Sequence, residues 1–147
     1  MILSDKSINE CVKRGSIVLD PFSEEFLQPA SYDLHLDRYF MVFNTEKIGL
    51  IDVKEKQDDM MRKIDVGEGG YFIIHPGEFV LANIKEVTGV DAKHVGRLEG
   101  KSSLGRIGLI VHATAGFLDP GNKLRMTLEL ANVSPLPIKM YEGRSEE

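Results

Sequence analysis

The sequence has few of the side chains that hold transition metals or link secreted domains. Its single cysteine, Cys11, cannot form an internal disulfide. The four histidines stand at no ligand-like spacing: His35, His75, His94 and His112. A structural or catalytic zinc ion needs three or four Cys, His or carboxylate ligands, usually in recognisable spacings. We therefore expect the chemistry of this protein to proceed without zinc.

Long apolar segments are also missing. No run of eighteen apolar residues occurs, and the opening MILSDKSINECVKRG carries a charge within five residues. A membrane-spanning helix needs about twenty mostly apolar residues, and a secretory signal needs an uninterrupted apolar stretch. The sequence predicts neither, so we expect no membrane association and a cytoplasmic location.

Positive charge is scarce overall, because 18 Lys and Arg stand against 23 Asp and Glu, a net charge of −5. Polynucleotide binders neutralise many phosphates with Lys and Arg, so this balance argues against that class. One stretch, residues 93–106, departs from the average with a single acid, Glu99, and five basic side chains: Lys93, His94, Arg97, Lys101 and Arg106. A small anion remains a plausible ligand for this basic stretch.

The pattern of short β-rich runs predicts an all-β protein. At 147 residues and 42% hydrophobic, the chain has the size of one domain, residues 1–147, with a real core. Turn residues separate the runs SYDLHLDRYFMVF, GGYFIIHPGEFVLANI, IGLIVHATAG and LRMTLELANV. We predict a barrel or sandwich with one short N-terminal helix, capped by Ser4 and ended by Gly15, and no other helix. The charge-rich segment DVKEKQDDMMRKIDVGEGG is predicted to be a solvated loop or an exposed hairpin.

Residues 122–132, NKLRMTLELAN, alternate with the period of a strand. One face would carry the apolar side chains Leu124, Met126, Leu128 and Leu130. The other would carry the polar side chains Arg125, Thr127 and Glu129. Glu129 is then either a solvated carboxylate on a wet face or, if a second element brings partners to it, part of a site.

The stretch EGKSSLGRIGLIVHATAGFLDPG, residues 99–121, combines turn formers, hydroxyls, cations and a carboxylate around an apolar run. Ser102 and Ser103 lie between glycines, so backbone amides and hydroxyls can approach an anion closely. Lys101 and Arg106 would neutralise that anion. Composition alone leaves two interpretations open, a phosphate-binding loop and a solvated basic turn.

Five ordered blocks resemble the dCTP deaminase branch of the dUTPase superfamily: LQPASYDLHL, HPGEFVLA, GKSSLGR, HATAGFLDPG and MTLELAN. GKSSLGR is similar to the family's phosphate motif, HATAGFLDPG to its Thr-Ala-x-x-x-Asp-Pro-Gly segment, and MTLELAN to the strand with its catalytic glutamate. The resemblance covers nearly the whole chain. It implies a distorted, jelly-roll-like dUTPase β-barrel, a homotrimer with sites at subunit interfaces, and a nucleoside triphosphate bound with Mg²⁺.

The same resemblance implies the reaction and its residues. Glu129 would activate water to convert dCTP to dUTP and ammonia, with Ser102 holding the water and Arg106 positioning Glu129 or neutralising a phosphate. The segment TAGF, with Gly116 where enzymes that stop at dUTP tend to carry His, is similar to the bifunctional group. That group also hydrolyses dUTP to dUMP and pyrophosphate, for which Asp119 would orient the water. Without the surrounding motif, Asp119 would be read as the cap of an Asp-Pro-Gly turn.

The resemblance further implies a set of nucleotide-binding residues, and dTTP as an inhibitor. The set is Lys101, Ser102, Ser103, Leu104, Gly105, Arg106, Thr114, Ala115, Gly116, Asp119, Thr127, Leu128 and Glu129. His112 is expected to be a packed or hydrogen-bonded strand residue. Gln28, Ser31 and Asp33 are expected to be structural or to buttress the pocket from a neighbouring subunit.

The match departs from the family pattern at three places. Lys101 replaces an arginine, which loses the planar fork that grips phosphate oxygens in pairs. Asn122 and Leu124 replace an aromatic residue and a glycine. After residues 141–143 the chain ends in RSEE, where the family continues with a last strand and an arm that closes over the triphosphate. Two interpretations stay open here, a piece of a longer protein and a shortened homologue that lacks the arm. Two other functions therefore stay open: a dUTPase without deaminase activity, and a regulatory trimer that binds dNTPs without turnover.

Overall fold

The computed structural model describes residues 1–56, 59–114 and 116–145, and these are mostly β, as predicted, with two short α-helices where one was predicted. The helices are α1 (Asp5–Lys13) and α2 (Ser102–Arg106), and a 3-10 turn covers Glu24–Phe26. The strands are β1 (Ile17–Asp20), β2 (Leu27–Gln28), β3 (Ser31–Tyr32), β4 (Leu36–Phe43), β5 (Met61–Asp65), β6 (Tyr71–Ile74), β7 (Phe79–Ile84), β8 (Val87–Val90), β9 (Gly96–Arg97), β10 (Leu109–Ile110), β11 (Phe117–Leu118), β12 (Lys123–Leu124), β13 (Thr127–Asn132) and β14 (Ile138–Tyr141). Neither helix has the length and apolar character needed to cross a membrane.

The strands pair antiparallel in five sheets. The largest has the order β10-β13-β7-β4-β5, and a second has the order β1-β8-β12. Three two-stranded ladders, β11-β9, β14-β6 and β2-β3, complete the pairing. Across the described ranges these ladders do not join into one closed ring of strands. The all-β class is therefore confirmed, whereas a closed barrel is not found.

The core lies against one face of the five-stranded sheet. Val80, Ala82 and Ile84 alternate inward along β7, as the two-residue period of a strand requires. Phe40 on β4 is fully buried, and its ring stacks on Phe72 of β6 with centroids 4.5 Å apart. This contact packs the β14-β6 ladder against the large sheet.

The N-terminal helix follows the sequence prediction, but residues 100–106 do not. These residues, GKSSLGR, resemble the family's phosphate motif and are called the phosphate-like segment below. The Ser4 hydroxyl accepts a hydrogen bond from the Ser7 amide at 3.4 Å and caps α1, and Gly15 ends it with φ +78°. The prediction of no second helix is wrong, because Ser102–Arg106 form α2. Leu104 in this short helix packs against the core, which supplies the tertiary contact that a single helical turn needs.

The alternation predicted for residues 122–132 holds only in part. Met126, Leu128 and Leu130 are buried, and Glu129 lies on the opposite face of β13. Leu124 is 41% exposed, contrary to the prediction, because it belongs to β12 and pairs with Thr88 of β8 in a different sheet. The charge-rich segment contributes β5 at the edge of the large sheet, and its residues 57 and 58 lie outside the described residues.

Asn132 at the end of β13 is a buried polar hub, with 1% of its surface exposed. Its side-chain amide donates to the carbonyls of Ile74 at 2.9 Å and Leu136 at 2.8 Å, and its carbonyl accepts from the Ser134 amide at 2.9 Å. These bonds join the strand that carries Glu129 to β6 and to the turn before β14. A buried polar group that loses its hydrogen-bond partners costs free energy, because water cannot replace them. The Asn132 side chain therefore holds the end of β13 in its position relative to β6 and the turn.

We predict that Asn132→Leu lowers the free energy of unfolding by about 3 kcal/mol, because three hydrogen bonds of about 1 kcal/mol each are lost. Denaturant unfolding monitored by circular dichroism measures this loss. The matched control is Asn122→Leu at an exposed position, where a change within about 0.5 kcal/mol is expected. Equal unfolding midpoints for the two variants would contradict the role given to Asn132.

Candidate functional site

A cavity of about 340 Å³ lies between residues 97–102 on one side and residues 109–112, 114, 116 and 117 on the other. The pairing of β9 with β11, Phe117 opposite Arg97 and Leu118 opposite Gly96, brings these two segments together. Five of the residues predicted to bind nucleotide line the cavity: Lys101, Ser102, Gly105, Thr114 and Gly116. The fold therefore gathers residues of two motifs, GKSSLGR and HATAGFLDPG, around one concave surface.

The phosphate-like segment presents its polar side chains to solvent. Lys101 precedes α2 in an extended conformation, and Ser102, Ser103 and Arg106 are exposed. Within the described ranges, the two hydroxyls and the Arg106 guanidinium make no hydrogen bond or ion pair. Leu104 packs against the core and thereby holds this short helix on the rest of the fold.

The Lys101 ammonium has an acidic partner that lies far away in sequence. It donates to Asp33 Oδ2 at 2.9 Å, and the Gln28 amide donates to the same oxygen at 3.2 Å. The carboxylate that meets the phosphate-like segment thus comes from the same chain, through the β2-β3 hairpin. Ser31 pairs with Gln28 in that hairpin.

Glu129 meets the other wall of the cavity through Thr114. The Thr114 amide donates to Oε2 at 3.0 Å, and its hydroxyl lies 3.0 Å from Oε2 and 3.2 Å from Oε1. The Glu129 side chain is 26% exposed, so it is neither packed in the core nor fully solvated. Because Thr114 itself lines the cavity, the carboxylate is held beside the cavity in a defined orientation.

His112 is a packed residue next to this carboxylate. Its side chain is 13% exposed, with Nε2 4.0 Å from Glu129 Oε2, and its Nδ1 has no hydrogen-bond partner among the residues that the structure describes. Gly116 lies close against it: a Cβ added at Gly116 would be 3.1 Å from His112 Cδ2 and 2.8 Å from Leu98 Cβ. His112, Leu98 and Gly116 thus form a closely packed group next to the Thr114–Glu129 contact, called the floor of the cavity below.

The remaining predicted residues lie at different places. Asp119 is exposed in a turn closed by the Asn122 amide on its carbonyl at 3.0 Å, with Gly121 at φ +82° as a type II turn requires. Thr127 is exposed and its hydroxyl lies 3.4 Å from Asn83 Oδ1. Leu128 is buried in the core, so only its backbone can face a ligand. Ala115 lies outside the described residues.

The single chain does not bring all of the predicted catalytic residues into contact. In the described part of the chain, no hydrogen bond or ion pair joins Glu129 to Ser102, Arg106 or Asp119. Sequence analysis also missed Leu98 and Phe117, which line the cavity. Phe117 is 54% exposed and carries the Arg97 guanidinium 6.0 Å from its ring centroid. The position of Phe117 as an aromatic residue inside the TAGF segment is the sequence feature that could have indicated its place at the cavity.

Two pKa shifts lie on elements that flank the site. Burial raises the pKa of the Tyr32 phenol in the β2-β3 hairpin, against the opposing effect of the Ser23 amide that donates to it. The hydrogen bond from His94 lowers the pKa of the Asp91 carboxyl, and the Lys93 amide lowers it further. Both groups hold backbone turns in place, so we assign them structural roles.

No group of three or more His, Cys, Asp or Glu side chains in the described ranges is arranged to hold a metal ion. The absence of zinc stays a prediction. Magnesium likewise stays a prediction, since an Mg²⁺ ion held mainly by substrate phosphates needs few protein ligands.

Comparisons with known proteins agree on one family. The family model described as dCTP deaminase-like matches residues 2–145. Proteins named "dCTP deaminase, dUMP-forming" are 50% identical over 141 residues in Corynebacterium kroppenstedtii and 49% over 143 in Corynebacterium glutamicum. The alignments cover 96% and 97% of this chain and 75% and 76% of those relatives.

One solved structure resembles the fold. The crystal structure of 2'-deoxycytidine 5'-triphosphate deaminase from Agrobacterium tumefaciens superposes with a TM-score of 0.68 at 16% identity. The match covers 97% of this chain and 44% of that chain. At this identity the likeness shows a shared fold and no more.

The packing of Gly116 gives a prediction for the site. Gly116→Ala should lower the free energy of unfolding by about 1–3 kcal/mol, because the new methyl group overlaps Leu98 and crowds His112. Gly105→Ala is the matched control, since a Cβ there meets nothing within 4 Å and helix propensity favours alanine. Thermal unfolding of both variants measures the difference, and an equally stable Gly116→Ala would show that the floor is loosely packed.

Proposed function

This chain belongs to the dCTP deaminase-like family, and on that premise we propose that it converts dCTP to dUTP and ammonia and then hydrolyses dUTP to dUMP and pyrophosphate. The observation that carries the proposal is the Glu129 carboxylate, which Thr114 orients beside a cavity whose other wall includes Lys101 and Ser102. The names of the relatives in both Corynebacterium species support the two-step reaction.

In the deamination step, Glu129 acts as general base and then as general acid. It removes a proton from the water that attacks C4 of cytosine. A bond forms between the water oxygen and C4 as the double bond between N3 and C4 becomes a single bond. That proton is delivered to N3, where it stays in the uracil ring. Glu129 then transfers the proton of the new C4 hydroxyl to the amino group, the bond from C4 to the amino nitrogen breaks as ammonia leaves, and C4 becomes a carbonyl. The two contacts from Thr114 hold the Glu129 carboxylate in one orientation. The entropy cost of orienting the catalytic oxygen is therefore met before the substrate reacts.

Ser102 and Arg106 assist this step from the phosphate-like segment. The Ser102 hydroxyl holds the attacking water, and the Arg106 guanidinium neutralises phosphate or positions Glu129. Both side chains are exposed and have no partner among the described residues, which leaves them available to a substrate. Lys101, Ser103 and the backbone of residues 101–106 contact the phosphates, while Thr114, Gly116, Thr127 and the backbone of Leu128 surround sugar and base.

In the hydrolysis step, Asp119 orients a water towards the α-phosphorus. Its carboxylate makes no hydrogen bond among the described residues, since the turn is closed by backbone, so it is available for this role. Mg²⁺ bound to the triphosphate withdraws charge from the phosphate oxygens. Water attack at phosphorus releases pyrophosphate and leaves dUMP. Inhibition by dTTP and a cytoplasmic location complete the proposal.

A homotrimer with shared sites would explain why the catalytic residues of one chain do not meet. Ser102, Arg106 and Asp119 are exposed, and apolar side chains stand exposed near them, among them Phe117 at 54%. Subunit packing would cover this apolar surface and place residues from one copy beside Glu129 of another.

Sedimentation equilibrium tests the assembly. We expect about three times the chain mass of 16.4 kDa at micromolar concentration. The same measurement on Phe117→Asp, which buries a charge if Phe117 is covered, should show dissociation. A fully active protein that sediments as a monomer would refute shared sites.

Product analysis tests the reaction. Glu129→Gln should reduce ammonia release from dCTP by at least about a hundredfold while leaving dUTP hydrolysis intact, because it removes the general base. Asp119→Asn should have the opposite effect, with ammonia released and dUTP accumulating. Glu78→Gln serves as the control, because that carboxylate accepts the His75 amide in a surface turn away from the cavity lining.

The same assay separates the competing functions. Consumption of dUTP alone, unaffected by Glu129→Gln, would identify a dUTPase without deaminase activity. Nucleotide binding with neither ammonia nor dUMP formed would identify a regulatory protein.

A further inference from the structure

A carboxylate from the β2-β3 hairpin lies against the phosphate-like segment. Asp33 and Lys101, 68 residues apart, form an ion pair at 2.9 Å whose side chains are only 20% and 30% exposed. The lysine also lines the cavity, so one cation belongs both to this pair and to the cavity wall. An ion pair in this position decides where the positive charge of the cavity is located.

The Asp33 side of the pair is firmly held. Its amide donates to the Phe26 carbonyl at 2.9 Å, and its Oδ2 also accepts the Gln28 amide group at 3.2 Å. Two residues further on, the His35 amide donates to Glu86 Oε2 at 3.0 Å, and Glu86 is 2% exposed. The carboxylate is thus fixed by backbone and side-chain bonds on both sides.

The Lys101 side is mobile by nature. A lysine carries its ammonium on a flexible stem with four rotatable bonds, and fixing that stem costs conformational entropy. If the ammonium were free, a ligand would have to order it on binding. A contact that orders it beforehand transfers this cost from binding to folding.

We propose that Asp33 is a positioning residue for anion binding, holding the Lys101 ammonium at the cavity wall so that its remaining N–H donors face the phosphates of the nucleotide. An ammonium has three donors, and the pair uses one of them. This inference rests on the proposed function only in naming the nucleotide as the source of the phosphates. It also gives Lys101, in place of the family's arginine, a defined geometry despite the loss of a planar fork.

The opposite effect is competition, in which Asp33 neutralises Lys101 and must release it before phosphate binds. A double-mutant cycle distinguishes the two by sign. If Asp33 positions the ammonium, removing Asp33 decreases the contribution of Lys101 to anion affinity. If Asp33 competes with the anion, removing Asp33 increases that contribution. Direct repulsion between Asp33 and the anion is present whether or not the lysine is, so it cancels in the cycle.

The probe is inorganic tripolyphosphate, titrated calorimetrically into wild type, Asp33→Asn, Lys101→Met and the double variant. We expect Lys101→Met to weaken binding by about tenfold in the wild-type background, as for loss of a charged hydrogen bond, and by less than about threefold in the Asp33→Asn background. Gln28→Met, which removes the second donor to Asp33, should move the lysine effect in the same direction by a smaller factor. This variant also carries the test if Asp33→Asn does not fold.

The matched control is Asp65→Asn, which removes a carboxylate paired with Arg38 at 2.6 Å on the β4-β5 edge. Its effect should add to that of Lys101→Met without coupling. An equal or larger loss on Lys101→Met in the Asp33→Asn background, or no tripolyphosphate binding by wild type, would overturn the inference. A protein that shows the coupling but releases no ammonia from dCTP would leave the inference standing and refute the deaminase instead.

Discussion

The two faces of β13 impose the constraint on which the rest of the structure depends. Leu128, Leu130 and Asn132 must point inward to complete the core, and Glu129 therefore points outward. A slip of one residue in its pairing with β7 would bury the carboxylate and expose both leucines, so the hydrophobic effect fixes the register. The position of the candidate catalytic group is a consequence of core packing several ångströms away from it.

The cavity is built around this fixed point by loops and very short strands. Two-residue pairing between β9 and β11 sets the distance between its walls, and the close contact of Gly116 with Leu98 and His112 sets its floor. Such short elements have little stability of their own, so their geometry depends on the sheet beneath them. This arrangement is typical of binding sites in which a rigid scaffold carries the functional segments.

The sequence predicted those features that depend on local periodicity or on capping. The alternation of β13 and the Ser4 cap of α1 are examples, and both follow from contacts within a few residues. The helix at Ser102–Arg106 could not be predicted in this way, because five residues with a glycine form a helix only when Leu104 finds its place in the core. Leu124 was wrongly placed because the strand breaks before Met126, a change of sheet that alternation does not reveal.

The candidate site was predictable to a similar extent. The segments that line the cavity were found, since each carries a dense group of polar and turn-forming residues. The partner of Lys101 was not found, because Asp33 is 68 residues away and only the folded chain brings the two together. No periodic pattern encodes such a contact, and the same holds for the packing of Leu98 against Gly116.

The acidic partners of the basic stretch have a kinetic consequence. Counted along the chain, residues 93–106 form a strongly positive surface, but His94, Arg97 and Lys101 each lie against a carboxylate in the fold. In the described ranges only Lys93 and Arg106 of these basic residues lack an ion pair. The long-range field is correspondingly weak, so an approaching polyanion is little accelerated by electrostatic steering and its association rate responds only modestly to ionic strength. Differences between ligands then reside mainly in how slowly each one dissociates.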